Sequence, residues 1–397
     1  MFPMRATVVL TALNFVSGVL RFAVGAVVWS LLASAALAQE MVVQIGHVAP
    51  MSGWLARVGS DSANGARLAI ETLNRQGKTI DGRRVVFNLV VADDAGEAGR
   101  AIVAAESLVA SKVAGVVGHL LSDATIAGAA VYAAAGLPQI APSATRVAYT
   151  RQGWTTAFRV IADDARIGRL LARYAVDEKK AKRFMVIDDR TRYGQDLAEE
   201  FSNGVLAAGG QVVGRLRFDE ATNDSGDLRA GVVSKNADAV FFGGLDRRAG
   251  LLLKQMRRLG FDVLFIGGDA ICTPDLVSYW SAGAALDDQV LCALPAGIGD
   301  IGEAALTQFA ADYRARFGRA AEYYAPYAYD AVMVLADAMV RASSTEPSAV
   351  LRALADTSDF RGLTGTIAFD PRGDVRHPAI SIFTYRGEER HSIRTLR

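Results

Sequence analysis

Cysteine and histidine are both scarce in this sequence, and their scarcity limits the chemistry that the chain can perform. Two cysteines and four histidines occur in 397 residues, and none has the Cys–His spacing typical of a zinc site. His47 and His119 both lie at predicted strand ends, but two histidines without a third ligand make a weak metal site. The sequence also lacks a P-loop, a G-x-S-x-G elbow and an H-E-x-x-H motif. We therefore expect no enzyme activity, no metal and no cofactor.

An excess of charge of either sign is missing as well. The chain has 43 basic and 42 acidic residues, which gives a net charge of +1 with neutral histidines. Such a balance gives no electrostatic reason to bind nucleic acid or an anionic membrane surface. We expect neither among its partners.

Long apolar runs are confined to the N-terminus. Residues 1–38 contain no acidic residue, the run from Phe22 to Ala36 is almost wholly apolar, and Ala36-Leu37-Ala38 matches a small-x-small cleavage signal. This pattern predicts a secretory signal peptide over residues 1–38. An uncleaved membrane anchor is the alternative, but Arg21 interrupts the apolar segment. No cysteine stands at the cleavage point, so a lipid anchor is not expected.

The size of the secreted part predicts more than one domain. Removing the signal peptide leaves 397 − 38 = 359 residues, more than one hydrophobic core usually supports. Both cysteines, Cys272 and Cys292, lie in this part. Outside the cytosol such a pair tends to oxidise, so we expect a disulfide that stabilises the fold by about 3 kcal/mol. Two buried thiols are the alternative.

Short β-rich runs alternate with helical segments along most of the chain. A first unit extends from a strand at Val42–Val48 to a strand at Pro138–Ala141. The alternation restarts after Arg159, includes a helix at Ser225–Lys235 and reaches a strand at Val263–Ile266. This order predicts parallel sheets with helices on both faces. We expect an α/β fold of two doubly wound lobes, joined by short crossings that act as a hinge.

Polar residues follow several predicted strands at the edge where parallel sheets bind ligands. Ser122 follows one strand, Ser143 and Thr145 follow the next, and Asp269 follows a strand of the second unit. Hydroxyls beside free backbone N–H groups suit a carboxylate, and an aspartate suits a cation. Each residue also has a structural interpretation, as a helix cap or a turn residue. Together, on adjacent loops of one sheet edge, the three hydroxyls favour a binding site.

A series of short motifs resembles one protein family. In chain order the motifs are Pro50-Met51-Ser52-Gly53, Asn64-Gly65-Ala66, Gly118-His119-Leu120, Ala144-Thr145, Tyr193-Gly194 and Phe369-Asp370-x-x-Gly373-Asp374. In these motifs the chain resembles the periplasmic leucine/isoleucine/valine-binding proteins, the type I solute-binding proteins of ABC importers. The resemblance implies two lobes joined by three crossings, with lobe one at 41–161 plus 293–370 and lobe two at 162–292 plus 371–397. It also implies a monomer that works in the periplasm with a membrane ABC permease.

The resemblance also assigns contacts with the ligand. It places the carboxylate-binding residues at Ser122, the backbone of Ser143 and Thr145. The acid that holds the ligand ammonium falls on Asp269, where the family commonly has Glu. Because Asp is one methylene shorter, the backbone comes closer, a water intervenes, or Asp246 shares the cation.

The remainder of the implied pocket departs from the family pattern. Two family aromatics are replaced by aliphatic residues, and the cysteine before the carboxylate-binding serine is a leucine. The family's lobe-one disulfide is absent, and the cysteine pair of this chain would tie lobe two instead. The resemblance therefore keeps the residues that bind the carboxylate and ammonium groups of an amino acid, whereas the pocket for its side chain is reshaped. The implied lining consists of Val58, Leu121, Tyr193, Leu245, Asp246 and Tyr324.

Taken together, these features predict a periplasmic protein that captures a small aliphatic or branched-chain amino acid and delivers it to an ABC permease. One alternative ligand is a carboxylate or an amide, such as an aromatic acid or a short amide. Asp269 argues against it, because a buried carboxylate that faces a ligand without a cation would be unpaired. A second alternative is a ligand sensor of the same fold.

Overall fold

The chain forms two β-sheets covered by helices, as the alternating sequence pattern predicts. The computed structural model describes residues 40–218, 230, 232, 235–280, 288–295 and 303–396. The predicted signal peptide lies outside these residues, and so does most of the helix predicted at 225–235. None of the helices within these ranges combines the length and the apolar character that crossing a bilayer requires.

The first sheet has six strands. In chain order they are β1 (Met41–Ala49), β2 (Thr79–Ile80), β3 (Arg83–Asp93), β4 (Val116–Gly118), β5 (Gln139–Ala141) and β6 (Ala157–Arg159). Their spatial order is β2-β3-β1-β4-β5-β6, and all neighbours are parallel except β2 and β3. The helices of this lobe are α1 (Ala56–Gln76), α2 (Ala98–Ala110), α3 (Ser122–Ala134), α8 (Glu303–Phe317), α9 (Ala325–Arg341) and α10 (Pro347–Ala355).

The second sheet has seven strands. They are β7 (Arg183–Asp188), β8 (Gln211–Arg217), β9 (Ala239–Gly243), β10 (Leu264–Gly267), β11 (Val290–Leu294), β14 (Ile380–Arg386) and β15 (Glu389–Leu396). Their order is β15-β14-β11-β10-β9-β7-β8, with β14 and β15 antiparallel and the other five parallel. The helices are α4 (Asp164–Asp177), α5 (Arg192–Ala207), α6 (Asp246–Arg258) and α7 (Leu276–Trp280), and a separate hairpin joins β12 (Phe360–Arg361) to β13 (Thr366–Ile367).

The central strands of the second sheet are buried on both faces because they contain runs of consecutive apolar residues. Successive side chains of a strand point to opposite faces. In β7, Phe184 and Val186 therefore pack with α4 and α5 on one face, whereas Met185 and Ile187 pack with α6 on the other. A strand without polar alternation thus predicts a sheet that lies between two layers of helices.

A close contact between α1 and α9 fixes the position of the loop before α9. A Cβ atom at Gly65 of α1 would lie 2.0 Å from the carbonyl oxygen of Ala325, so only glycine permits this approach. Four residues earlier, the buried Asp61 accepts hydrogen bonds from the backbone N–H groups of Glu322 (2.8 Å) and Ala325 (3.0 Å). Since α9 has no side-chain cap of its own, Asp61 satisfies its first N–H group.

A buried ion pair joins the end of β6 to the segment that leads into β14. Arg159 is completely buried and donates to Asp374 at 2.6 Å and to the carbonyl oxygens of Ala144 (3.0 Å) and Arg146 (2.9 Å). Burial alone would raise the pKa of Asp374, but Arg159 and the neighbouring donors outweigh burial and lower it. The pair therefore connects two of the places where the chain passes between the sheets.

Candidate functional site

Polar residues from both sheets meet at the carboxyl ends of the strands. Ser122 begins α3 after β4, Ser143 and Thr145 lie in the loop after β5, and Asp269 follows β10 of the second sheet. Tyr324, immediately before α9, donates its hydroxyl to Asp269 across the two lobes (3.4 Å). The structure therefore brings the predicted polar residues to one region, the usual ligand position in parallel sheets.

The three hydroxyl residues of the first lobe have different roles. The Ser143 hydroxyl donates to the carbonyl oxygens of His119 (3.2 Å) and Leu120 (2.8 Å), so it ties two loops and leaves only its backbone for a ligand. The N-cap of α3 is Leu121 rather than Ser122. The Ser122 hydroxyl accepts a long hydrogen bond of 3.4 Å from the backbone of Arg146. The alternative interpretation of Ser122 as a mere helix cap is therefore wrong, whereas its role toward a ligand stays a prediction.

Asp269 accepts hydrogen bonds from two tyrosines. Tyr193 donates at 2.8 Å and Tyr324 at 3.4 Å, and the aspartate is only 2% exposed. Burial raises the pKa of Asp269, although the two hydroxyls oppose this effect. Tyr193 is held in the first turn of α5 by the cap residue Thr191, whose hydroxyl accepts from the Gly194 N–H at 3.0 Å.

A second buried carboxylate, Asp164, lies beside this group, and the sequence reasoning missed it. Asp164 is completely buried, and apart from the nearby Thr145 hydroxyl neither of its carboxylate oxygens has a hydrogen-bond partner in the part of the chain that the structure describes. Its backbone N–H donates to the carbonyl oxygen of Thr145 at 2.8 Å. Burial raises the pKa of Asp164 well above its ordinary value, the charge of Asp269 raises it further, and the Thr145 hydroxyl opposes both.

The position of Asp164 in the sequence explains why it was missed. Two aspartates at a helix start are typical of capping, and Asp163 does cap α4 by accepting from the Arg166 N–H at 2.9 Å. Asp164 follows the cap and has no structural task of its own. The sequence did contain a signal: two adjacent aspartates stand at the helix start, although one aspartate is enough to cap one helix.

The two buried carboxylates lack a protein cation. Among the described residues, neither Asp164 nor Asp269 forms an ion pair with Lys, Arg or His. Burying an ionised carboxylate without a partner costs several kcal/mol. The region can therefore bind a cationic group, with hydroxyl and backbone donors of the β4 and β5 loops a short distance away.

The aliphatic residues predicted to line the pocket are half-buried, as is Asp246. Val58 lies on α1, Leu121 caps α3 and Leu245 caps α6. Asp246 accepts from the Thr273 hydroxyl and from the Arg247 N–H, both at 2.7 Å. Because Asp246 is only half-buried whereas Asp164 and Asp269 are buried, its charge has less need of a ligand ammonium than theirs.

Two ion pairs between the lobes flank this region. Arg146, directly after Thr145, donates to Asp196 of α5 at 2.5 Å and also contacts Asp123. Arg57 of α1 pairs with Asp275 of the second lobe and with Glu322. In both cases the first lobe supplies the cation and the second lobe supplies a carboxylate. Nothing in the sequence pairs residues at such separations, so these contacts were not predicted.

The two cysteines form the predicted disulfide, and both are completely buried. The alternative of two free thiols is wrong. The bond joins the short turn after Asp269 to strand β11, with the Cα atoms of Cys272 and Cys292 5.2 Å apart. It therefore anchors the loop that presents Asp269.

The histidines are engaged in structural contacts. His47 Nε2 and the Ser62 hydroxyl are 3.0 Å apart, and His119 lies 2.7 Å from Asp94 and 3.2 Å from the Tyr132 hydroxyl. Within the described ranges, no group of three or more His, Cys, Asp or Glu residues could hold a metal ion.

Comparison with known proteins agrees with this geometry. A family model described as "Periplasmic binding protein" matches residues 42–386. The Leu/Ile/Val-binding protein homolog 1 of Brucella suis is 30% identical over 343 residues, which are 86% of this chain and 90% of that protein. The leucine-binding protein LivK of Thermotoga maritima is 25% identical with a TM-score of 0.78, over 89% of this chain and 98% of that chain.

A further solved structure shares the fold and binds a different ligand. This solute-binding protein from Rhodopseudomonas palustris was solved with 3,4-dihydroxybenzoic acid, and it is 20% identical with a TM-score of 0.73, over 89% of this chain and 97% of that chain. The architecture is thus the two-lobed type I fold that the motifs implied. The chain belongs to the periplasmic binding protein family, among its leucine/isoleucine/valine-binding members.

Proposed function

We propose that this protein captures a small amino acid, aliphatic or branched-chain, between its lobes in the periplasm and delivers it to a membrane ABC permease. The observation that carries the proposal is the pair of buried carboxylates, Asp164 and Asp269, without a protein cation in the described residues. An ammonium group would neutralise this pair. The proposal also places the lobes at 41–161 plus 293–370 and 162–292 plus 371–397, and removes residues 1–38 as a signal peptide.

We place the ligand carboxylate at the loops after β4 and β5 of the first lobe. There the Ser122 hydroxyl, the Ser143 backbone and the Thr145 hydroxyl supply donors at the start of a helix. A zwitterion is removed from water at a cost of several kcal/mol per charge unless both charges find partners. The geometry supports partners for both, because the backbone of Asp164 is bonded directly to the backbone of Thr145.

Closure of the lobes follows from this division of contacts. Asp269 and Tyr193 belong to the second lobe, whereas the hydroxyl loops and Tyr324 belong to the first. A ligand that touches both lobes stabilises their closed arrangement, and hinge-type binding proteins use this principle. The binding step involves no chemical conversion, and we expect a monomer to perform it.

The second candidate ligand is an aromatic acid or another carboxylate without a cation, as in the neighbour solved with 3,4-dihydroxybenzoic acid. Such a ligand would leave Asp164 and Asp269 unpaired, and they would have to stay protonated. The buried pair therefore favours an amino acid. A sensor of the same fold would bind the same ligand and differ only in its membrane partner.

A thermal-shift panel on residues 39–397 tests the proposal. The protein is unfolded and refolded first to remove carried ligand, then mixed with the common amino acids, short amides and aromatic acids. A ligand at 100 times its Kd stabilises the fold by about 2.7 kcal/mol, so binding raises Tm measurably. We expect shifts only with aliphatic amino acids. Shifts confined to acids or amides would refute the proposal.

Matched variants then test the ammonium site. Asp269→Asn and Asp164→Asn should each weaken amino-acid binding roughly 100-fold, because each removes one partner of a buried charge. Asp246→Asn is the control, since Asp246 is half-buried whereas Asp164 and Asp269 are buried, and it should change Kd by less than about threefold. A strong loss in the control with none in the other two would move the ammonium to Asp246. Calorimetric titration measures all three.

A further inference from the structure

A cavity of about 580 Å³ lies between the two lobes, beside the proposed amino-acid site. The first lobe contributes residues 319–323, Pro326 and Tyr327, strand β11 contributes Leu294, and the second lobe contributes Pro274 and Arg390. Its walls are mostly apolar. The volume lies in the range of cavities that hold small organic ligands.

One cation of this cavity has no anionic partner. The Arg390 guanidinium donates to the carbonyl oxygen of Cys272 and lies 4.9 Å above the Phe383 ring, but it pairs with no carboxylate in the described residues. Glu322, the carboxylate in the lining, is already shared by Arg57 and Arg319. The lining therefore has an unbalanced positive charge, and burial lowers the pKa of Arg390 accordingly.

One proton of a tyrosine pair in the same lining is also without an acceptor. The hydroxyls of Tyr323 and Tyr327 are buried and face each other, and among the described residues neither has another hydrogen-bond partner. The two rings contact each other edge to face with centroids 5.3 Å apart. A buried polar group without a partner is rare in proteins, and it indicates a missing ligand atom or water.

We propose that this cavity is a second ligand site, which binds a small monocarboxylate with an apolar body. Its carboxylate pairs with Arg390 and accepts from the tyrosine hydroxyls, and its hydrocarbon part occupies the apolar walls. An amino acid fits poorly, because its ammonium would face an arginine without an acid to receive it. The site goes beyond the proposed function and does not depend on it.

The cavity is separate from the amino-acid site. Tyr323 lines the cavity, whereas Tyr324 and Asp269 are not part of its described lining. The two tyrosine rings are in contact, with centroids 4.7 Å apart, and the Tyr324 hydroxyl donates to Asp269. Because both lobes line the cavity, its occupant also favours the closed arrangement. Linkage then requires that the monocarboxylate in the cavity and the amino acid in its proposed site strengthen each other's binding by the same factor.

Calorimetric titration with hexanoate and with benzoate tests the inference on the full mature chain. We expect a single site for at least one of them, with Kd raised by about 10- to 100-fold in Arg390→Gln, because hydrogen bonds to a charged partner are lost. Tyr323→Phe combined with Tyr327→Phe keeps the packing and should weaken binding by about 3- to 10-fold. Arg386→Gln is the control, since Arg386 is exposed and pairs with Asp288.

The outcomes distinguish this cavity from the proposed amino-acid site. Binding that survives Asp269→Asn and Arg386→Gln but fails in Arg390→Gln supports the cavity, even if no amino acid binds. Three results overturn the proposal. They are no binding of hexanoate or benzoate by the wild type, binding by Arg390→Gln that is as tight as in the wild type, or competition between the carboxylate and the amino acid instead of mutual strengthening. Circular dichroism spectra and Tm values confirm that the variants are folded.

Discussion

Replacing Asp196 by Asn tests whether an ion pair between the lobes contributes to ligand affinity. Asp196 of the second lobe accepts from Arg146, which directly follows Thr145 in the first lobe. Because opening the lobes separates these residues, we expect the pair to form only in the closed state. Its loss should then weaken ligand binding without changing any residue of the ligand pocket.

The expected magnitude follows from the exposure of the two side chains. The Arg146 side chain is 11% exposed and that of Asp196 is 34% exposed. Fully exposed pairs contribute about 0.2–1 kcal/mol, and water screens part of this interaction as well. We therefore take about 1 kcal/mol, which is roughly a fivefold increase in Kd. The change should be found in the dissociation rate rather than in the association rate.

Calorimetry and stopped-flow fluorescence measure both quantities with the amino acid that the panel identifies. Asp123→Asn is the matched control, because Asp123 contacts the same arginine from within the first lobe; it should change Kd by less than about twofold. Raising the ionic strength to 1 M should weaken the wild type more than Asp196→Asn. Equal effects of the two variants, or unchanged affinity in Asp196→Asn, would refute closure through this pair.

Three further predictions concern stability. The pKa of Asp164 is raised above 3.8, so its ionisation destabilises the ligand-free fold increasingly as pH rises from about 3.8 to the raised pKa. Calorimetric scans should therefore show that Asp164→Asn is more stable than the wild type by about 1 kcal/mol at pH 7, a Tm gain of ~2 °C. The gain should be smaller at pH 4. Replacing Cys272 and Cys292 by Ala should cost about 3 kcal/mol, and a reductant should lower Tm in the wild type but not in this variant. Burial alone would raise the pKa of Asp374, but Arg159 and nearby donors outweigh burial and lower it. The stability that Asp374 contributes is therefore present above about pH 3.8 and is lost as pH falls through the lowered pKa. Asp374→Asn should therefore cost about 3 kcal/mol at pH 7, with the difference shrinking toward pH 2 in urea titrations.

The fold was predictable because its signals are local. In β7 the four consecutive residues 184–187 are apolar, and this pattern alone predicts a strand with helices on both faces. The antiparallel pairing of β14 with β11 joins residues about ninety positions apart, and no local pattern specifies it. The predicted disulfide formed because strands β10 and β11 are neighbours that set Gly267 opposite Cys292.

The candidate site was predictable only in part. Asp269, Tyr193 and Tyr324 were named from the resemblance, and the structure brings their side chains into contact. Their role toward a ligand stays a prediction. Asp164 was missed because it directly follows a capping aspartate at a helix start. The pair of Arg146 with Asp196 depends on how the two lobes face each other, which no sequence spacing encodes.

The pair of buried carboxylates has a consequence for the solvent as well as for the ligand. Two like charges in one buried region cannot both ionise easily, so over part of the acidic pH range the empty protein holds a proton between Asp164 and Asp269. For the amino acid proposed above as ligand, the ammonium would replace that proton, which would be released to the buffer. Capture is then an exchange of one cation for another, and the heat of binding should depend on the ionisation enthalpy of the buffer. A periplasm that turns acidic would, through the same exchange, loosen the protein's hold on its cargo.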